Sequence, residues 1–222
     1  MKLIYPEETT LNKHLTALIE RSAKIDCRDY LYFLGSVLAD KMLPKLDPSR
    51  QYTLVSCAED LDDFNQGFSD RIDHIIQFSH VVFWISPSSS QEHEVSPIIR
   101  HRYVEKEYIQ SHEVIFIRPF IIDPELPKAI FSDVIKRIKP AKLHTASVFV
   151  DEQVGVVLAE EFGADCHFEE HCFVRVNKSL GERPYVWARA EKDMYKSLAA
   201  KSFGSAVGTI PETIMRKMIV RK

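Results

Sequence analysis

The sequence has few of the features that mark specialised classes of protein. Its 222 residues include only 7 glycines, which argues against a repeat protein, a glycine-rich phosphate loop and a disordered tail. No apolar stretch approaches the roughly 18 residues that a membrane-spanning helix needs, and residues 1–6 turn polar too soon for a secretory signal. Four cysteines in a chain of this length do not make a disulfide framework, so we expect free thiols and a cytoplasmic protein.

The charge of the chain also lacks a strong bias. There are 29 basic and 32 acidic residues, which gives a net charge of −3. This balance predicts no bulk attraction to nucleic acid or to an anionic membrane. Hydrophobic residues make up 45% of the sequence, enough for a substantial core, and we expect one α/β domain over residues 1–222.

The spacing of apolar residues predicts helices that alternate with short strands. β-branched apolar runs favour strands, and apolar residues three or four positions apart favour helices. The strands are predicted at 52–55, 81–85, 114–117 and 146–150, with an extended segment over 166–176. Helices are predicted in an N-terminal extension (1–27), over 64–76, 123–139 and 152–162, and in a C-terminal segment (188–222). A further helix is predicted from the candidate N-cap Asp26 to Met42. Gly163 is predicted to end the helix over 152–162 as its C′ residue.

This alternation predicts a three-layer α/β sandwich with a mostly parallel central sheet. Ligands of such sheets bind beyond the carboxyl ends of the strands. Residues 86–110 are the longest weakly patterned stretch, which is typical of a functional lid.

An acidic turn follows the first predicted strand. Ser56 and Cys57 stand at the strand tip, and Glu59, Asp60, Asp62 and Asp63 come directly after them at the start of a helix. The carboxylates suit helix capping and the helix macrodipole, and they equally suit Mg²⁺ or ribose hydroxyls. Glu59 and Asp60 are therefore the candidate Mg²⁺ ligands, and no organic cofactor is predicted.

Two further segments carry groups that bind phosphate. Ser88, Ser89 and Ser90 offer hydroxyl donors, and Arg100 and Arg102 offer guanidinium groups that pair with phosphate. The alternative interpretation is a solvated polar loop followed by a charged helix.

The strand that ends at Ile117 leads through Arg118 to Asp123-Pro124, where a helix begins. A helix N-terminus is a natural anion site, and Asp123 is well placed to cap it. Arg118 has no evident structural duty, so we interpret it as a ligand-binding residue. Trp187 is a candidate for stacking on a base, although packing in the core is the simpler role.

The motif formed by Cys166, His167, His171 and Cys172 suggests zinc at first sight. On a strand, the two cysteines lie on one face and the two histidines on the other, so four ligands cannot converge and no zinc is predicted. A nucleophilic Cys57 with a histidine base is conceivable, but a half-buried structural cysteine is the better expectation.

Taken together, residues 28–187 resemble the phosphoribosyltransferase family in the order and spacing of these segments. Residues 52–63 resemble its pyrophosphate loop, residues 86–108 its flexible loop, and residues 115–128 its ribose-phosphate strand and turn. Residues 164–187 supply part of a small C-terminal hood in this comparison. The family places two adjacent acidic residues before a threonine- and glycine-containing turn, whereas residues 121–128 have one Asp at the turn and neither Thr nor Gly after it.

This resemblance implies a protein that binds a ribose phosphate or a nucleotide, with glycosyl transfer as the family's activity. Arg118 and Asp123 hold the phosphate and ribose, Glu59 and Asp60 serve the metal or pyrophosphate, and the basic pair Arg100 and Arg102 closes over the leaving group. Glu59, Asp60 and Asp123 are the implied catalytic residues. Degenerate members resemble the phosphoribosyltransferase-like domains associated with bacterial stress and defence gene clusters.

Two other hypotheses stay open. Residues 68–87 are similar to the middle of a TIR domain, which implies cleavage of NAD or a nucleotide by Glu92 or Glu94, although a strand that TIR folds need has no room in the sequence. The other hypothesis is a non-catalytic module that binds a protein partner or a second copy of the chain.

Overall fold

A central sheet forms the middle layer of the protein in the computed structural model, which describes residues 2–5, 7–21, 27–87, 97–105 and 113–177. Its strands are β1 Lys2–Leu3, β2 Gln51–Cys57, β3 Gln77–Pro87, β4 Pro97–Val104, β5 Glu113–Ile117, β6 Phe120–Ile121, β7 Lys142–Asp151 and β8 His167–Val176. The helices are α1 Thr9–Arg21, α2 Arg28–Met42, α3 Gln66–Ile72, α4 Glu125–Ile135 and α5 Glu152–Phe162.

The strands follow the order β1-β8-β7-β5-β2-β3-β4, and the short β6 also pairs with β7. Neighbours among β8, β7, β5, β2 and β3 run parallel, whereas β1 and β4 are antiparallel to the strands that they join. The mostly parallel sheet expected from the alternation of strands and helices is therefore confirmed.

The two faces of the sheet are covered by different helices. Successive residues of a strand point to opposite faces, so each strand contributes side chains to both cores. Ile115 and Ile117 of β5 pack in the core beneath α1, α2 and α3. Val114 and Phe116 of the same strand pack in the second core, beneath α4 and α5. The three-layer sandwich is thus confirmed. Of the helices in the described ranges, the longest is α2 with 15 residues, and none has both the length and the apolar content to cross a membrane.

The largest departure from the predicted elements lies in residues 86–110. β3 continues to Pro87, and β4 returns beside it in an antiparallel hairpin. The flexible loop that the resemblance implies and the charged helix of the alternative interpretation are therefore both wrong for residues 97–104. The strand forms there because the exposed edge of β3 offers hydrogen-bond partners, which the sequence of β4 does not reveal by itself. Residues 88–96 and 106–112 lie outside the described part of the chain.

Three other expectations need correction. The residues 167–176 expected in a hood form β8, a strand of the main sheet, because they pair along the full length of β7. Gly163 ends α5 as the C-cap with φ −64°, in the right-handed region rather than the left-handed region expected of a C′ glycine. Cys27 stands at the N-cap of α2, and Asp26 lies outside the described residues, as do residues 178–222.

The helix predicted over 64–76 begins with unusual turns. Residues 58–60 form a 3₁₀ turn, residues 61–65 form a π-helical turn, and α3 follows. Two glycines bring this segment against α2: a Cβ atom on Gly35 would lie 2.1 Å from the carbonyl oxygen of Phe64, and one on Gly67 would lie 2.0 Å from that of Tyr32. These close approaches fix the position of the acidic turn that precedes α3.

We expect Gly67→Ala to lower the free energy of unfolding by about 1–3 kcal/mol, because the added methyl group must displace the backbone of α2. Chemical denaturation monitored by circular dichroism measures the change.

Gly155→Ala in α5 is the matched control, since its Cβ atom meets only the flexible carboxylate end of Glu170. We expect it to change stability by less than about 1 kcal/mol, helped by the higher helix propensity of alanine. Equal losses in the two variants would contradict the tight α2–α3 contact.

Candidate functional site

The carboxyl ends of β2 and β5 flank the topological switch point, where the strand order of the sheet reverses. From β2 the chain passes to β3 on one side, and later to β5 on the other side of β2. Open α/β sheets bind ligands in the crevice outside such a switch point. The segment after β2 (57–63) and the segment after β5 (118–125) therefore form the candidate site.

Pro119 shapes the second of these segments. The regular ladder between β5 and β7 is interrupted at this residue. Its carbonyl oxygen instead accepts hydrogen bonds from the amides of both Val148 and Phe149, each at 3.0 Å. The amide of Arg118 still donates to the carbonyl oxygen of Ala146, at 3.1 Å, and pairing resumes at β6. Arg118 thus sits in a break of the strand.

The guanidinium of Arg118 joins the two segments. Its Nη1 atom donates to Glu59 Oε1 at 3.1 Å and to Asp60 Oδ2 at 2.9 Å, and its Nε atom donates to the carbonyl oxygen of Phe120 at 3.2 Å. The side chain of Asp60 is fully buried, whereas that of Glu59 is 40% exposed. The expectation that Arg118 has no structural duty is therefore wrong, because it neutralises a buried carboxylate. Its role in ligand binding stays a prediction.

The Cys57 thiol lies beside the same carboxylates. One ligand atom each of Cys57, Glu59 and Asp60 lies within 4.8 Å of the others. Burial raises the pKa of Cys57 well above its ordinary value, so the thiol stays protonated and is a poor nucleophile. The trio as a whole fits Mg²⁺ badly, because Mg²⁺ prefers oxygen ligands and the guanidinium already contacts both carboxylates. Glu59 alone retains the exposure that a hydrated cation needs.

Two buried polar side chains lie next to this turn in the sequence. Ser56 Oγ and both amide atoms of Asn65 are buried and have no hydrogen-bond partner within the ranges that the structure describes. Asn65 ends the π-helical turn, a type of irregularity frequent at functional sites. Because an unsatisfied buried polar group is costly, both residues favour a polar occupant nearby.

Asp123 precedes the helix that opens beyond β6, and the N-cap of this helix is Pro124 rather than Asp123 as the sequence predicted. The Oδ1 atom of Asp123 nevertheless accepts a hydrogen bond from the amide of Glu125 at 2.8 Å, in the first turn of the helix. Pro124 contributes no N–H group to this helix start. The Asp123 side chain is nevertheless exposed, so its other carboxylate oxygen faces solvent or a ligand.

The β3–β4 hairpin brings basic residues towards the same edge. Arg100 is the extra residue of a β-bulge, between the pairs His101–Trp84 and Ile99–Ile85, and it is exposed. Arg102 Nη1 pairs with Asp133 of α4 at 2.9 Å. The remaining candidate residues lie outside the described part of the chain: Ser88, Ser89, Ser90, Glu92, Glu94 and Trp187.

The carboxyl edge of the sheet carries mostly negative charge. Exposed carboxylates stand after β2, before and within the first turn of α4, and at the start of α5 (Glu59, Asp62, Asp123, Glu125 and Glu152). A divalent cation placed between an anionic ligand and these carboxylates favours binding at this edge, because hard divalent cations prefer oxygen ligands.

Comparison with solved structures found several similar chains. The AQ2163 protein of Aquifex aeolicus is similar with a TM-score of 0.58 and 11% identity, over 77% of this chain and 87% of that one. A hypoxanthine phosphoribosyltransferase of Staphylococcus aureus has a TM-score of 0.44 and 9% identity, over 67% and 73% of the two chains. A Neisseria gonorrhoeae protein with bound ppGpp has a TM-score of 0.43 and 6% identity, over 75% and 92%.

No protein-family model and no curated protein matches the sequence. The similarity to the Aquifex protein therefore shows the fold alone, and function rests on the residues of this chain.

We expect Arg118→Ala to lower the free energy of unfolding by about 3 kcal/mol or more, because it removes the guanidinium from a fully buried carboxylate. Glu59→Gln is the matched control, since Gln keeps a hydrogen-bond acceptor at a half-exposed position, and it is expected to cost less than about 1 kcal/mol. Urea denaturation compares the two. A similar small loss for both variants would show that Arg118 is not the anchor of Asp60.

Proposed function

We propose that this protein binds a nucleotide or another ribose phosphate in the crevice between the carboxyl ends of β2 and β5. The observation that carries the proposal is the convergence of the acidic turn and the interrupted strand at the switch point, where Arg118 contacts Glu59 and Asp60 at 3.1 and 2.9 Å. This is the position at which open α/β sheets bind their ligands.

The negative charge of the edge makes a divalent cation part of the proposal. Mg²⁺ binds proteins through one or two carboxylates together with the phosphates of the substrate, and it keeps several water molecules. Glu59 and Asp123 are the exposed carboxylates that follow β2 and β6, so they are the proposed protein ligands. Arg100, exposed on the β-bulge of the hairpin, is the proposed guanidinium partner of a phosphate oxygen.

The start of α4 favours binding over phosphoribosyl transfer. A phosphate cradle at a helix N-terminus is built from free backbone N–H groups. Here Pro124 has none, and the amide of Glu125 is occupied by the Asp123 side chain at 2.8 Å. We therefore propose a ligand-binding or regulatory protein, and a place in bacterial stress or defence systems stays a prediction of the resemblance.

The proposal predicts ligand binding that requires Mg²⁺. We expect at least one of phosphoribosyl pyrophosphate, NAD and purine nucleoside monophosphates to raise the Tm by about 2 °C or more with Mg²⁺ present. The shift should vanish when Mg²⁺ is omitted, because the acidic edge then repels the phosphate. Thermal unfolding identifies the ligand, and isothermal titration calorimetry then gives its affinity.

Charge-removing variants locate the site. We expect Glu59→Gln and Asp123→Asn each to weaken Mg²⁺-dependent binding about 10-fold or more, with little change in the Tm of the free protein, because Asn keeps an oxygen that can accept from the amide of Glu125. Glu160→Gln, on the exposed surface of α5, is the matched control and should leave the affinity unchanged.

Three results would overturn the proposal or part of it. No stabilisation by any of these ligands would favour the protein-interaction hypothesis. Equal affinity with and without Mg²⁺ would remove the metal-bridged site. Release of pyrophosphate from phosphoribosyl pyrophosphate in the presence of a purine base, lost in Asp123→Asn, would assign transfer in place of simple binding.

A further inference from the structure

A group of ionisable side chains, most of them buried, lies near the amino ends of β5 and β7 and reaches the middle of β8. It contains Glu113, His144, Glu169 and His171. His144 is fully buried and the His171 side chain is 5% exposed, whereas the Glu169 side chain is 28% exposed. His144 is paired with Ile115, so it lies about three residues, or roughly 10 Å along the strand direction, from the level of Arg118 at the switch point.

The register of the sheet brings these residues together on one face. His144 of β7 is paired with Glu169 of β8, and His171 lies two residues further along β8. Because alternate residues of a strand share a face, His144 and His171 point to the side of Ala146 and Phe173, which pack beneath α1–α3.

Three atoms of the group converge on one point. His144 Nδ1 lies 3.2 Å from His171 Nε2, and Glu169 Oε2 lies 3.6 Å from each of these nitrogens. The two distances to Glu169 are too long for hydrogen bonds. Ligand atoms about 2.0–2.2 Å from a tetrahedral Zn²⁺ ion lie about 3.4 Å from each other. The observed separations therefore match the spacing of metal ligands better than that of a hydrogen-bonded trio.

Glu113 orients the first of these ligands. Its Oε2 atom lies 2.9 Å from His144 Nε2, and its Oε1 atom accepts from Arg50 Nη1 at 2.8 Å. A carboxylate only accepts, so the His144 proton belongs on Nε2 and the lone pair on Nδ1 faces His171 and Glu169. This carboxylate–histidine pairing is the usual support of a metal-binding imidazole.

We propose that His144, His171 and Glu169 bind a first-row transition-metal ion, with Zn²⁺ as the best match to two imidazoles and one carboxylate. Three protein ligands leave a fourth position for water or a small ligand. The metal ties β7 to β8 and shares no residue with the proposed nucleotide site.

The site differs from the zinc motif that the sequence suggested. The cysteines of that motif face the other core, as strand alternation predicted: Cys166 and Cys172 pack with α4 and α5. One histidine of the motif, His171, contributes, and its partner His144 comes from the neighbouring strand 27 residues earlier.

The test measures metal binding by the full-length protein after removal of metals. We expect one equivalent of Zn²⁺ to bind in competition with a chromophoric chelator and to raise the Tm. We also expect Co²⁺ to give the visible absorption bands of a low-coordinate site. His171→Gln should weaken Zn²⁺ binding about 100-fold or more, and both Glu169→Gln and Glu113→Gln about 10- to 100-fold.

His74→Gln is the matched control, because the His74 side chain is 93% exposed and its ion pair is to its neighbour Asp73. It should leave Zn²⁺ affinity unchanged. Should His171→Gln fail to fold, Glu169→Gln decides, since Glu169 is partly exposed and its loss leaves both imidazoles in place.

The proposal is overturned if the metal-free protein takes up no Zn²⁺ or Co²⁺ at micromolar concentration. A direct His144–His171 hydrogen bond then accounts for the 3.2 Å distance. It is equally overturned if Zn²⁺ binds with the same affinity to the wild type, Glu169→Gln and His171→Gln. That result would place the ion at another site, such as the cysteines.

Discussion

The ion pair between Arg118 and the buried Asp60 is the interaction on which the candidate site depends. A carboxylate without solvent access needs a cation beside it, and Arg118 supplies one from 58 residues further along the chain. Arg118 lies at the end of β5, directly before the interruption of the β5–β7 pairing at Pro119. One proline, one arginine and one aspartate thus hold the turn after β2 against the loop before α4, and the crevice lies between them.

The two groups of ionisable side chains differ in how deeply they are buried. At the carboxyl end, exposed carboxylates surround a single buried ion pair, which suits a ligand that arrives with its own cation and leaves again. At the amino end, imidazoles and a carboxylate are buried in the interior, which suits an ion that stays bound. Desolvation decides the difference, because a buried charge or lone pair is expensive unless it is permanently satisfied.

The sequence predicted the layers and most elements because burial imposes its period on apolar residues, as in Ile115 and Ile117 against Val114 and Phe116. It also predicted that a helix begins close to Asp123, which is a local feature, and that His171 and Cys172 lie on opposite faces of their strand. The β4 strand was missed because its hydrogen bonds depend on the edge of β3. The duty of Arg118 and the pairing of His144 with His171 were missed because each links residues that are distant in sequence.

The two outer strands of the sheet have a consequence for self-association. β1 has only 2 residues, and β4 carries consecutive exposed charged or polar side chains (Arg100, His101 and Arg102), a bulge and a proline at its first position. Edge strands that are short, charged or interrupted by a bulge offer few accessible backbone hydrogen-bond groups to a strand from another molecule. Within the described ranges, the edges of the sheet therefore give a second copy of this chain little opportunity to extend the sheet.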